Sequence, residues 1–173
     1  AGEFRRRVED LNQARHNVMG DIVNSTAAYV ANANFGFQVL PDNLGGDEYA
    51  EFRSTVVESR RPMVYVGAND GMLHAIDGRV ADETSENFEQ EKILYTGREE
   101  WAFIPSMVMP RLHELTDPDY VHNYFVDGSP RTIDAYFERP GSNQPSWGSV
   151  LVGILGGGGS GIFAIDVTDP DEE

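Results

Sequence analysis

The chain has 173 residues, 40% of them hydrophobic, with 18 glycines, no cysteine and a formal net charge of −16. That balance describes one turn-rich globular domain with enough apolar material for a core, and it excludes an intrinsically disordered segment. It also excludes disulfides, zinc–thiolate centres and cysteine nucleophiles, and it argues against nucleic acid, whose phosphates the net charge would repel.

No apolar run reaches the roughly 18 residues that a membrane-spanning helix needs. The basic side consists of 12 arginines and a single lysine, Lys92. An acidic, lysine-poor surface suits high salt or a GC-rich genome, and it would attract cations.

Ala1-Gly2-Glu3-Phe4 reads as a cloning remnant, because Glu-Phe is what an EcoRI site encodes. Residues 4–16 are polar, with only Val8 and Leu11 as an apolar stripe, and suit a short helix or an ordered lead-in. Ile22-Val23 and Ala28-Tyr29-Val30 read as short strands. Residues 31–51 carry Asn34, Gly36, Pro41, Asp42, Asn43, Gly45 and Gly46, so a loop or insertion is expected there. Met63–Gly67 and Met72–Asp77 are apolar runs joined by Ala68-Asn69-Asp70-Gly71, which reads as a β-hairpin.

Residues 79–94 are acidic and read as an inserted surface loop. Glu100–Ile104 reads as a strand. Ser106–Leu115 reads as a helix with Val108, Leu112 and Leu115 on one face, ended by Asp117-Pro118. Strands are expected at Tyr124–Val126 and Thr132–Phe137. A second hairpin is expected from Ser149–Leu155 and Gly161–Val167 around Gly156–Ser160.

The two hairpins share a frame. MVYVGANDGMLHAID (63–77) and VLVGILGGGGSGIFAID (150–166) both run from an apolar stretch through Val-Gly, a turn and a glycine to Ala-Ile-Asp. A weaker echo links GDIVNSTAAYV (20–30) with DGSPRTIDAYF (127–137). Recurring hairpins mark a sheet module used more than once, and such modules bury their faces by stacking. Blades of about 40–50 residues and rings of about four to eight blades make this chain two or three blades. The expected fold is all-β with a minor helix, a partial β-propeller over 20–173 with insertions near 31–60 and 79–94, preceded by a 1–19 remnant and lead-in. A compact sandwich is the alternative.

The stretch VYVGANDGMLHAID, with Tyr95-Thr96-Gly97 and Trp101 beyond the insertion, resembles the quinoprotein-type propeller repeat. In that repeat glycines make the turns and the tryptophan packs between blades. Five phrases in order resemble the C-terminal propeller of the PilC/PilY type IV pilus family: GDIVNST (20–26), the first hairpin, EEWAFIPSMVMPRL (99–112), YFVDGSPRTIDAYF (124–137) and WGSVLVGILGGGGSGIFAIDVTDP (147–170). The loops at 31–60 and 79–94 show no comparable match.

The resemblance implies a seven-bladed, modified propeller on an extracytoplasmic protein of the periplasm, outer membrane, cell surface or pilus tip. It would not be an enzyme. It would support pilus assembly and adhesion, oppose retraction and contribute to twitching motility, with pilin, minor pilins and host or surface ligands as partners. Self-association through open sheet edges is also expected. The family's calcium loop has no counterpart here, so calcium is expected only in the intact protein. The alternatives are a fragment of a quinoprotein (pyrroloquinoline quinone) dehydrogenase and a non-catalytic outer-membrane assembly scaffold.

No catalytic, cofactor-binding or metal residue is assigned. Gly156, Gly158 and Gly161 fit G-x-G-x-x-G, but a dinucleotide site needs a helix next, and Ile162–Val167 reads as a strand. No Lys-Ser/Thr pair follows to complete a phosphate loop. His16, His74, His113 and His122 lack metal-site spacing, and His74 reads as a surface or packing residue. Asp127-Gly128-Ser129 reads as a turn. Asp166, Asp169, Asp171 and Glu172 offer oxygen ligands that calcium accepts, but they read as solvated charge, as do the hairpin-turn residues Asn69 and Asp70. Trp101 and Trp147 read as core.

Overall fold

The computed structural model describes residues 8–10, 15–16, 19–94, 97–139 and 141–171. The expected remnant at 1–4, Leu11, Tyr95-Thr96 and Glu172 lie outside them. Strands β1 (Val8–Asp10) and β2 (Arg15–His16) pair as a small antiparallel ribbon where a short helix or a lead-in was expected.

The remaining strands form two separate antiparallel meanders. In the first, β3 (Ala28–Val30), β4 (Met63–Gly67), β5 (Leu73–Asp77) and β6 (Glu99–Phe103) pair in chain order. In the second, β7 (Arg131–Glu138), β8 (Pro145–Ile154) and β9 (Ile162–Asp166) do the same. Propeller blades are chain-order antiparallel sheets of this kind. The weak echo marks the first strand of each blade, because Ala28-Tyr29 and Ala135-Tyr136 fall in β3 and β7.

The blades stack through alternating residues. Val30, Met63, Tyr65, Leu73 and Ala75 on one face of the first blade share a buried cluster with Leu151, Phe163 and Val167 of the second. Successive side chains in a strand point to opposite faces. The other face of the second blade therefore carries Val150, Val152 and Ile154 opposite Asp166, Ala164 and Ile162. Rotation from one blade to the next must carry a face onto the same face. Met63, Tyr65, Leu73 and Ala75 thus correspond to Val150, Val152, Ile162 and Ala164.

Ala-Ile-Asp matches in this superposition, but Val-Gly is displaced by one residue, so that Gly153 occupies the position of Val66. A one-residue slip reverses every side chain, and here the exchange has a local cause. A Cβ on Gly153 would lie 2.1 Å from the Phe163 ring, which crosses the strand at that point.

Several segments differ from expectation. Ile22-Val23 is exposed and forms no strand, because the flanking polar groups are committed to loop contacts. Residues 31–51 are more ordered than their turn formers suggest. Short 3-10 turns at Phe37–Val39 and Asp42–Leu44 lead into α1 (Gly46–Phe52) and a π turn at Arg53–Val57. Tyr49, Phe52 and Val57 bury one face of this unit against Trp147. Gly46 permits the tight entry, since a Cβ there would lie 1.9 Å from the Leu40 carbonyl oxygen.

The acidic insertion contains a second helix, α2 (Phe88–Leu94). The expected helix after Pro105 is a 3-10 segment, Met109–Thr116, with Pro110 in its first turn. Its apolar face is the expected one: Val108 is buried, and Leu112 and Leu115 pack on the blade core. No helix among the described residues is long and apolar enough to cross a membrane.

Candidate functional site at the blade seam

Tyr124–Val126 was expected to form a strand, but with the turn residue Asp127 it clasps the two blades instead. Phe125 N donates to Asn69 Oδ1 (3.1 Å), Val126 N to the Ala68 carbonyl (3.3 Å) and Asp127 N to the Leu155 carbonyl (3.0 Å). One short segment thus satisfies both hairpin turns while Phe125 and Val126 are buried in the seam. Asp127 accepts from Asn24 N (3.1 Å) and Asn24 Nδ2 (2.7 Å), and Thr26 N donates to Ser129 Oγ (2.9 Å). The Asp127-Gly128-Ser129 bend therefore ties the entry of β3 to the entry of β7.

The turn residues Asn69 and Asp70 are buried, not solvated as expected. Asn69 N donates to the Asp21 carbonyl (3.0 Å), and Gly20 N donates to Asp70 Oδ2 (2.5 Å). His74 is 1% exposed and sits between two carboxylates, with Nε2 3.1 Å from Asp70 Oδ2 and Nδ1 3.0 Å from Glu99 Oε1. Burial alone would lower the imidazole pKa, yet hydrogen bonds to Asp70 and Glu99 hold it above the ordinary value of 6.5. Of the two readings open to His74 it is the packed one, and its neighbours are two carboxylates rather than apolar groups. Period-two alternation gave no sign of this, because Asp70 and Glu99 reach it from a turn and a neighbouring strand.

A second polar network joins the insertion to the seam. Tyr49 Oη donates to Asp134 Oδ2 (2.8 Å) and Ser149 Oγ to Asp134 Oδ1 (2.6 Å). Arg60 Nη1 donates to Ser149 Oγ (2.7 Å), and its other nitrogens reach the Ala31 carbonyl. Burial and then the bond to Asp134 push the Tyr49 phenol up, while burial drives the Tyr65 phenol to about 12 against the opposing charges of Arg60 and Arg61. Tyr49, Asp134 and Ser149 are buried and Arg60 is half-buried, and buried polar groups are retained where partners satisfy them.

Trp147 is core, its Nε1 donating to the Gly45 carbonyl (2.9 Å). Trp101 is half-buried at the seam, its ring 5.6 Å from Tyr65, and borders a cleft of about 350 Å³ with Phe103, Ile165 and Asp169. It packs between blades, as the repeat implies.

The remaining sequence candidates are not brought together. Gly156–Gly158 forms a 3-10 turn followed by strand β9, and a Cβ on Gly158 would lie 1.8 Å from the Phe125 carbonyl oxygen. These glycines permit close packing under the clasp. His113 Nδ1 lies 2.9 Å from the Pro110 carbonyl and His122 Nε2 lies 2.7 Å from Asp21 Oδ2; the side chain of His16 is outside the description. Asp166 engages Arg139 and Thr168, Asp169 accepts from Asp171 N, and Asp171 reaches Arg61. The three carboxylates do not converge, and no group of three possible ligands among the described residues is arranged to hold a metal ion.

The family model described as the PilY1 β-propeller domain matches residues 19–173. This chain belongs to the PilY1 β-propeller family. A "Type IV pilus biogenesis factor PilY1 homolog" of Xylella fastidiosa is 44% identical over 156 residues, covering 90% of this chain and 11% of the relative. The "Type IV pilus biogenesis factor PilY1" of Pseudomonas aeruginosa is 38% identical over 172 residues, covering 98% and 13%.

The crystal structure of the Pseudomonas aeruginosa PilY1 C-terminal domain is 35% identical, with a TM-score of 0.50 over 84% of this chain and 23% of that one. The PilY1-type chain thus spans little more than a tenth of these curated relatives' length. Those relatives are named as pilus biogenesis factors and not as enzymes.

Proposed function

We propose that this chain is the seam-bearing part of the propeller in a type IV pilus biogenesis factor. It works as a non-catalytic assembly and adhesion module at the cell surface or pilus tip and supports extension against retraction. The observation that carries this reading is the family match over 19–173, which coincides with the two clasped blades. Its partners are pilin or minor pilins, together with surface ligands. Calcium, if the intact protein takes it, is assigned to other parts of that protein.

The test is deletion of the parent gene in the source organism, scored by surface pili and twitching. Loss of pili, restored when the pilus retraction motor is also removed, is the expected result. Normal piliation and twitching would overturn the proposal.

A further inference from the structure

A basic pocket stands out on this acidic molecule. Arg60, Arg61, Arg79 and Arg98 line a depression of about 550 Å³, with Glu100 and Asp171 as its acidic members. Four arginines in one concavity reverse the sign that a net charge of −16 sets elsewhere, and a concave site focuses such a field. The sequence positions explain the clustering. Arg60 and Arg61 precede β4, Arg79 follows β5 and Arg98 precedes β6, so one end of the first blade gathers all four.

An acidic peptide already lies on this surface. Arg61 Nη2 donates to the Pro170 carbonyl (3.3 Å) and pairs with Asp171 Oδ1 (2.7 Å). The Asp171 side chain stays 67% exposed. The Arg61 Nη1 nitrogen turns to Asp77 and Glu100, each at 3.3 Å, and the buried Nε has no hydrogen-bond partner. Arg98 is 64% exposed and meets only a 3.7 Å contact with Glu100 among the ion pairs of the described residues. A planar guanidinium fork matches a carboxylate and a peptide carbonyl side by side.

We infer that this pocket is a docking site for an extended acidic peptide of a partner protein, occupied in cis by Pro170-Asp171. Arg61 takes the first carboxylate with its neighbouring carbonyl, and Arg98 takes a second carboxylate at the rim. Asp171 is the exposed member of its pair with Arg61, and solvent screening on that side keeps the pair weak, so a partner's acid displaces it. The inference rests on charge and geometry and is independent of the pilus reading.

The test is fluorescence anisotropy at low salt with a labelled DPDEE peptide and its amide counterpart NPNQQ, added to the 173-residue chain. The acidic peptide is expected to bind about two- to fivefold more tightly to Asp171→Asn than to the parent. It is expected to lose at least that factor in Arg98→Ala, whose circular dichroism stays unchanged, and to weaken as salt rises. Equal binding of the amide peptide, no binding to Asp171→Asn, or unchanged binding to Arg98→Ala overturns the inference. So does inorganic phosphate saturating the pocket where the peptide does not, which would make it an anion site of another kind.

Discussion

Leu151 and Val152 are adjacent in β8 but point to opposite faces of the second blade. Leu151 is fully buried in the seam; Val152 is 36% exposed on the far face. Leu151→Ala removes a side chain that the first blade, the clasp and β9 enclose, and a collapse-resistant site of that kind costs about 2–5 kcal/mol. Val152→Ala removes two carbons that are only partly covered. At about 0.8 kcal/mol per buried CH₂ the cost stays near 1 kcal/mol.

For a domain of this size each kcal/mol lowers Tm by about 2–4 °C, so the two variants should separate by several degrees. Urea unfolding followed by far-UV circular dichroism and tryptophan fluorescence gives the free energies directly, provided the two probes coincide. Equal losses, or a larger loss at Val152, would refute the assignment of faces and with it the stacking of the blades.

Gly153→Ala, which forces the Phe163 ring off β8, should cost about 1–3 kcal/mol in the same assay. The His74 contribution has a defined pH window. Its folded pKa is raised above 6.5, so the stabilisation is complete below about 6.5 and is lost as pH rises through the folded value. Thermal melts across that range should show the decline in the parent and a flatter profile in His74→Gln. Asp134→Ala leaves the Tyr49 and Ser149 hydroxyls without their acceptor, a loss of about 1–3 kcal/mol per stranded group, visible in chemical denaturation. Self-association should run through the face carrying Val152, Ile154 and Ile162, since the equivalent face of the first blade is covered by a blade. Light scattering at rising concentration should detect it in the parent and not in Ile162→Lys.

The repeat was legible because glycine turns and period-two apolar runs are local properties of the chain. They located both hairpins, the first strand of each blade and the apolar stripe Val108/Leu112/Leu115. The register of the repeat was not legible. Val-Gly is the more conspicuous match, but the side-chain faces follow Ala-Ile-Asp, and only cross-strand pairing shows that Gly153 yields its volume to Phe163. Residues 31–51 read as a loop or insertion because Pro41, Gly45 and Gly46 dominate, whereas Tyr49, with Phe52 just beyond, supplies a buried face completed by the distant Trp147. The segment 124–127 has strand-forming residues, yet its backbone donors go to two turns rather than to a ladder. The arginine pocket escaped notice because its members are dispersed over 39 positions, from Arg60 to Arg98, and meet only when β4, β5 and β6 align.

Phe103 at the end of β6 and Phe163 in β9 belong to different blades, and their ring centroids lie 5.5 Å apart. Nuclear Overhauser contacts between selectively protonated phenylalanine rings measure that seam directly. Stacked blades predict a strong Phe103–Phe163 ring contact together with no backbone Hα–Hα contacts between β6 and β9. Backbone contacts joining β6 to β9 in one continuous sheet, without the ring contact, would contradict the account.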